Sequence, residues 1–219
     1  DSYNPYRITE AAGGGRFVPE ELTWVSSQCF LQVEETPDGF EATVLWDNGD
    51  ESVLLGTKST DRIHVEWRVP QSEVLAPYKR IRIRGDSSEG FYGMGEVLDH
   101  VNHRGLVRAM NMEVADQESG YNEAHVPIPL LLGTTGWGLF VESYRPGVFE
   151  IATEEEDLTT VTFGYANALE ESLHFHLFLE EHPLDLTHHY YEVTGFPGAV
   201  APWALGPWIW RDEVSGQAK

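Results

Sequence analysis

Alternation is the feature that most constrains this chain. Leu173, Phe175, Leu177 and Leu179 fall on one side of an extended segment, and His174, His176 and Phe178 fall on the other. Ile63, Val65, Trp67 and Val69 alternate with His64, Glu66 and Arg68, and Ile81 and Ile83 sit between Arg80, Arg82 and Arg84. A period of two belongs to strands with one face turned to a core. Further β-rich runs cover 30–35, 40–46, 52–55, 137–141, 148–151 and 159–163. Thr36-Pro-Asp-Gly39 and Asp47-Asn-Gly-Asp50 supply turn chemistry between the early ones. Many short strands with almost no helical periodicity predict a mainly β fold class, an antiparallel β-sandwich.

Composition narrows the function classes. In 219 residues, 41% are apolar and 12% aromatic. A chain of this size buries roughly 70% of its unfolded surface, so it can build a core without staples. Acids number 36 against 14 bases, for a net charge of −22. That field repels phosphate backbones and anionic lipid, so no nucleic acid and no membrane are expected as partners. No stretch approaches the roughly 20 apolar residues of a membrane span, and the run 126–132 is broken by Pro127 and Pro129. Residues 1–5 carry no signal pattern. Lysine is confined to Lys58, Lys79 and Lys219, a balance compatible with a high-salt or extracellular setting. Cys29 is the one cysteine, so an intrachain disulfide is impossible and a cytoplasmic or secreted location stays open, as does a homo-oligomer.

The texture changes at Pro183. Residues 183–194 read as one helix, with proline in the first turn and Gly195 as its C-terminal cap. A Pro/Gly linker follows to Pro202. Trp203-Ala-Leu-Gly-Pro-Trp-Ile-Trp210 is apolar on both faces, like a strand of a buried parallel sheet. Such a strand needs neighbours, so the chain reads as the front part of something longer.

Several constellations invite a chemical reading beside a duller one. His174 and His176 could share a metal from one strand face, but no third ligand lies nearby in sequence, so an ordinary sheet face is preferred. His188 and His189 point about 100° apart on a helix and suit packing better than a joint site. The acid run 154–157 reads as a solvated turn. Cys29, in an apolar run with no base beside it, reads as a buried and inert thiol. Gly90-Phe-Tyr-Gly-Met-Gly95 fits neither phosphate-binding fingerprint and is better explained by close backbone approach or a bend in a sheet. The segment 110–125 is long, polar and largely aperiodic, either a functional loop or a plain surface one. Its Asp116, Gln117, Tyr121 and His125 are residue types that bind sugar hydroxyls. Neither a cofactor nor a metal site is nominated.

Four ordered segments carry a family resemblance. Phe91-Tyr-Gly-Met-Gly-Glu96 resembles the Phe-Tyr-Gly-x-Gly-Glu signature of glycoside hydrolase family 31, the α-glucosidase and α-xylosidase family. Residues 121–132 followed by Thr135-Gly-Trp-Gly-Leu-Phe140 are similar to its tyrosine, Pro-rich strand and Gly-x-Gly-Leu-Phe. The helix ending at Thr194-Gly195 is similar to its Tyr-x-x-Leu-Thr-Gly segment, with Val193 in place of leucine. Trp203-Ala-Leu-Gly-Pro-Trp208 is similar to the Trp-Ala-Leu-Gly-Phe-Trp that opens the family's barrel.

The resemblance implies an N-terminal lead-in over 1–15 and a galactose-mutarotase-like supersandwich over 16–182. It places a helix and linker at 183–202 and the first strand of a truncated catalytic (β/α)8 barrel in 203–219. It implies a parent α-glycosidase, a hydrolase that retains configuration and possesses transglycosylating relatives, acting on an α-linked oligosaccharide or glycoside. Its two carboxylates come from later barrel strands, and the nucleophile motif Trp-x-Asp-Met-Asn-Glu is absent from these residues, so no catalytic residue is nominated. The remainder of the barrel, in the same polypeptide or as a co-purifying fragment, is the implied partner. A sandwich loop that reaches the barrel mouth makes Asp116 the carried-over sugar ligand. Trp210, Arg211 and Asp212 would stand at the pocket rim, at a strand's C-terminal end. Ala201-Pro202-Trp203 replaces the usual Pro-Pro-x-Trp, and Arg211-Asp-Glu-Val departs from the α-glucosidase ending, leaving α-xyloside, α-galactoside or transglycosylation open. A stand-alone carbohydrate-binding sandwich without catalysis, or an interaction module using the acidic surface, remains as an alternative.

Overall fold

The computed structural model describes residues 5–11, 14–68, 77–97, 99–110, 124–164 and 172–207. Fourteen strands, one helix and one 3₁₀ turn are described. The strands are β1 (Tyr6–Ala11), β2 (Gly14–Pro19), β3 (Ser27–Thr36), β4 (Gly39–Trp46), β5 (Glu51–Lys58), β6 (Arg62–Arg68), β7 (Tyr78–Arg84), β8 (Phe91–Val97), β9 (Leu106–Ala109), β10 (Ala124–Gly133), β11 (Trp137–Val141), β12 (Gly147–Ile151), β13 (Leu158–Gly164) and β14 (Leu173–Leu179). Helix α1 spans Pro183–Thr194, and the 3₁₀ turn is Pro202–Leu205.

Every described strand pairing is antiparallel. One sheet has eight strands in the order β3-β4-β5-β6-β14-β11-β10-β8, a second has four in the order β7-β13-β12-β9, and β1 and β2 form a separate hairpin. The main core lies between the two larger sheets. Phe91, Met94, Leu131, Leu139, Val141 and Leu173 from the eight-stranded sheet meet Phe149, Ile151, Val161 and Phe163 from the four-stranded one. This is the sandwich the alternation predicts.

The eight-stranded sheet is covered on its other face as well. Leu130, Phe140 and Phe178 turn away from the sandwich core and pack against Leu186, Tyr190 and Val193 of α1. The period of two therefore sorts β11 and β14 into two buried faces. Leu139 and Leu173 go inward, Phe140 and Phe178 go under the helix. Helix α1 has the expected bounds. Its start is capped by His182 Nδ1, which accepts from Leu184 N–H, and it ends at Gly195 with φ of 97°.

The motif Phe91–Glu96 has a steric cause. Gly93, Met94 and Gly95 all have positive φ, at 104°, 67° and 88°. They build an irregularity in the β8–β10 ladder, where the register shifts between Pro127 and Leu131. A Cβ on Gly93 would lie 2.4 Å from the Leu130 carbonyl oxygen, and one on Gly95 would lie 2.0 Å from that of Val126. Pro127 and Pro129 fit here too, because the β10–β11 ladder begins only at Leu130.

Three expectations are corrected. Within the expected N-terminal lead-in, β1 and β2 pair as antiparallel strands, with Tyr6 only 5% exposed and packed against Ala109 and Val148. Cys29 is exposed, not buried. It lies on β3, the edge strand of the large sheet, where every residue is exposed. Trp203 begins not as a strand but within the 3₁₀ turn, 80% exposed; residues 208–210 lie outside the described residues. The acid run is a turn as expected, but Glu154, Glu155 and Asp157 pair with Arg82 and Arg84 of β7.

Two glycines separate backbone strain from collision. Gly49 has φ of 88° with open space around it, whereas Gly95 has the same φ and a carbonyl in the way. Gly49→Ala is expected to cost about 1–2 kcal/mol, the left-handed penalty for a side chain. Gly95→Ala is expected to cost at least about 2 kcal/mol more, since two strands must separate. Urea unfolding midpoints of the two variants check this, and equal losses would contradict it.

Candidate functional site

The residues expected to touch sugar straddle the described parts of the chain. Asp116, Gln117 and Tyr121 lie outside the described residues, as do Trp210, Arg211 and Asp212. His125 lies in β10, where only its backbone is described. What the structure does describe is how the two ends of segment 111–123 are held.

The segment leaves the four-stranded sheet and enters the eight-stranded one. Before it, β9 pairs with β12, and Met110 N–H donates to the Gly147 carbonyl at 2.7 Å. After it, Ala124 pairs with Val97 at the end of β8. Arg108 and Asp99 join these two roots. Arg108 is 1% exposed and gives two parallel N–H···O bonds of 2.8 Å to the Asp99 carboxylate. Asp99 stands two residues beyond Val97, and Arg108 stands three residues before the segment begins. A planar fork of this kind fixes direction as well as distance.

The clamp continues into the glycine motif. Arg108 Nε–H donates to His103 Nδ1 at 3.1 Å, so the His103 proton sits on Nε2 and is donated to the Gly93 carbonyl at 3.2 Å. Burial, and then the Arg108 charge, push the His103 pKa down, which keeps the ring in this neutral form. Burial pushes Asp99 up, but the hydrogen bonds and charge of Arg108 outweigh it and hold the carboxyl below its usual range.

Glu89 fastens the second motif to the first. This buried carboxylate accepts from Thr135 N–H at 3.0 Å and from Thr135 Oγ1–H at 2.6 Å. Asn102 Oδ1 accepts from Phe91 N–H at 3.0 Å. Glu89 and Asn102 thus tie the Phe91–Glu96 and Thr135–Phe140 motifs to the loops beside them.

A second cluster, which the sequence shows only as His174 and His176 on one strand face, lies on the helix-side face of the large sheet. Register pairs His176 of β14 with His64 of β6, and both His64–His174 and His64–His176 rings stack. His64 Nε2 lies 3.2 Å from His174 Nδ1, and His176 Nε2 lies 2.7 Å from Glu142 Oε1. A single ion could reach ligand atoms of His64, His174 and Glu142, all within 4.8 Å of one another. The set differs from the pair weighed in the sequence: His176 is not in it, and His174 is joined instead by Glu142 and by His64, 110 residues away. Asp61, Glu180 and His189 are also close together. There both His189 nitrogens are already engaged, by Glu180 at 2.9 Å and Glu192 at 3.1 Å. Burial would lower the His189 pKa, but these two carboxylates outweigh it and hold it up. His189 also stacks on Phe178, so the helical histidine serves packing as expected.

No protein-family model matches the chain. An isomaltosyltransferase of Sporosarcina globispora is 25% identical over 199 residues, covering 90% of this chain and 18% of that enzyme. Alpha-xylosidase XylQ of Lactiplantibacillus pentosus is 27% identical over 133 residues, covering 60% of this chain and 16% of that enzyme. The chain therefore spans less than a fifth of the length of these curated relatives. Among solved structures, a cycloalternan-forming enzyme from Listeria monocytogenes, in complex with a pentasaccharide substrate, matches with a TM-score of 0.58 at 18% identity. That match covers 93% of this chain and 21% of the other. A GH31 family sulfoquinovosidase from E. rectale matches with a TM-score of 0.60 at 12% identity, covering 87% and 29%. The fold resemblance is to enzymes of the kind the motifs imply. Among the described residues no helix is long and apolar enough to cross a membrane.

The Asp99–Arg108 pair yields a stability prediction with a defined sign. Arg108→Met leaves a mostly buried carboxylate with only its bond from the His100 N–H and no charge partner, and is expected to cost about 3 kcal/mol. Asp99 has a depressed folded pKa. Its contribution is therefore complete above the unfolded value of about 3.9 and is lost as pH falls through the lower folded value. The stability gap between wild type and Asp99→Asn, from urea unfolding, should be constant from pH 7 to about 5 and shrink below about 4. A gap that closes near pH 6 would contradict the assignment.

Proposed function

We propose that this chain, whose relatives and fold are those of glycoside hydrolase family 31 enzymes, is the N-terminal region of a retaining α-glycosidase or transglycosylase. In this reading the sandwich supports a catalytic barrel and lends segment 111–123 to its sugar-binding pocket. The observation that carries it is the clamp. A bidentate ion pair with a buried guanidinium joins both roots of the long polar segment 111–123. A rigid anchorage at the base of a ligand-binding segment lowers the conformational entropy lost when a ligand is bound.

The chemistry divides between the chain and the rest of the enzyme. Retaining hydrolysis needs one carboxylate to attack the anomeric carbon and another to protonate the leaving oxygen. The nucleophile motif of the family is absent from residues 1–219, so both groups are assigned to the barrel beyond them. Asp116 is assigned the role of accepting hydrogen bonds from sugar hydroxyls, with Gln117, Tyr121 and His125 lining the same approach. Trp210, Arg211 and Asp212 are assigned to the rim, at the end of the first barrel strand. Trp203 and Leu205, both strongly exposed in a segment of otherwise apolar sequence, support the placing of further protein beside them.

A charge-assisted hydrogen bond is worth roughly 1.5–3 kcal/mol. Asp116→Ala in the full-length protein is therefore expected to lower kcat/KM for α-glycosides by about 10- to 150-fold, while circular dichroism stays that of the wild type. An unchanged kcat/KM across α-gluco and α-galacto substrates would remove Asp116 from the site. Residues 1–219 alone are expected to show no turnover of an aryl α-glycoside, and measurable turnover by them would contradict the division of labour.

A further inference from the structure

The histidine cluster on the helix-side face of the large sheet has no part in the sugar-binding reading. Its three donors come from three places: His64 from β6, His174 from β14, and Glu142 from just past the end of β11. Glu142 is held there by its own N–H, which donates to the His174 carbonyl at 2.9 Å. The strands are adjacent in the sheet, so the donors converge through register alone.

Two imidazoles and a carboxylate are a donor set that binds zinc. Tetrahedral zinc with Zn–N distances of about 2.0–2.1 Å holds its nitrogens roughly 3.3 Å apart. The His64 and His174 nitrogens are separated by 3.2 Å, so an ion could replace the proton they share without moving either strand. The carboxylate is also oriented in advance. His176, its side chain 7% exposed, faces Glu142 Oε1 at 2.7 Å, the outer-shell support that ligating carboxylates commonly have. With Nε2–H donated to Glu142, His176 Nδ1 is left buried without a hydrogen-bond partner among the described residues. A cavity of about 320 Å³ beside His64 and His176 leads in from solvent.

We propose that His64, His174 and Glu142 bind one divalent ion of zinc's coordination preference, with water in the fourth position and His176 as the residue that positions Glu142. Oxygen-seeking Mg²⁺ and Ca²⁺ do not suit two imidazoles. The ion pins three neighbouring elements at the middle of the eight-stranded sheet, beside the face that α1 covers. It is a structural fastener, independent of the sugar chemistry.

The test uses the full-length protein, stripped with a chelator, desalted, and titrated with Zn²⁺ alone by calorimetry and with Co²⁺ by visible absorption. Wild type is expected to bind one more Zn²⁺ per chain than His174→Gln and to show tetrahedral Co²⁺ bands that the variant lacks. At Zn²⁺ 100-fold above Kd, the folding equilibrium of the unit that holds the site should shift about 100-fold toward the folded state in wild type and not in His174→Gln. Glu142→Gln alters a largely exposed side chain and should fold normally while binding at least about tenfold more weakly. Equal stoichiometry in wild type and His174→Gln would overturn the site. If His174→Gln fails to fold, equal Zn²⁺ affinity in wild type and Glu142→Gln does the same.

Discussion

At Gly93 and Gly95 the backbone of β8 runs so close to that of β10 that any side chain there would strike a carbonyl oxygen. This approach is where the edge of the large sheet is shaped, and the neighbouring features depend on it. Met94, between the two glycines, is driven fully into the sandwich core despite a positive φ. The cost of that conformation, of order 1–3 kcal/mol, is offset by burial of a long apolar side chain. The Gly93 carbonyl accepts from the buried His103, and His103 in turn accepts from Arg108. Backbone geometry at two glycines thus passes by hydrogen bonds to an ion pair at the base of a long polar segment.

The large sheet carries two cores, which explains the mixed character of its central strands. On β14 the face toward the small sheet is Leu173, Phe175 and Leu177, while the opposite face is His174, His176 and Phe178. The second face is aromatic rather than aliphatic because it meets a helix and a cavity, not another sheet. Flat rings stack there along the strands, His64 on His176, His176 on Phe178 and Phe178 on His189. Stacked rings bury area while letting ring nitrogens reach polar partners at the margin.

Much of this was legible in the sequence, for physical reasons that can be named. The bounds of β14 and α1 follow from strict alternation, from Pro183 in the first helical turn and from Gly195 after the last, and those of β11 from a β-rich run. The Phe91–Glu96 motif reads correctly as a close approach, because two glycines flanking one residue inside a strand have few other uses. Other features depended on non-local facts. Cys29 sits in an apolar run, but whether such a run is central or at an edge is decided by pairing order, which alternation does not encode. The hairpin of β1 and β2 was hidden by a Gly-rich stretch whose one informative residue, Tyr6, finds its pocket on β9 and β12. His64 lies 110 residues from His174, and only the β6–β14 register joins them. The sugar-binding residues were legible solely through family resemblance, since an aperiodic polar segment holds no local signal of what it touches.

The central claim is that segment 111–123, anchored by Arg108 and Asp99, delivers Asp116 to a sugar held by the rest of the enzyme. A crystal structure of the full-length protein with a bound α-linked oligosaccharide tests it most directly. The account predicts an Asp116 carboxylate oxygen within about 2.5–3.0 Å of a sugar hydroxyl, with the Arg108–Asp99 pair intact beneath it. A bound sugar with Asp116 turned to solvent, and the whole segment remote from the ligand, would contradict it.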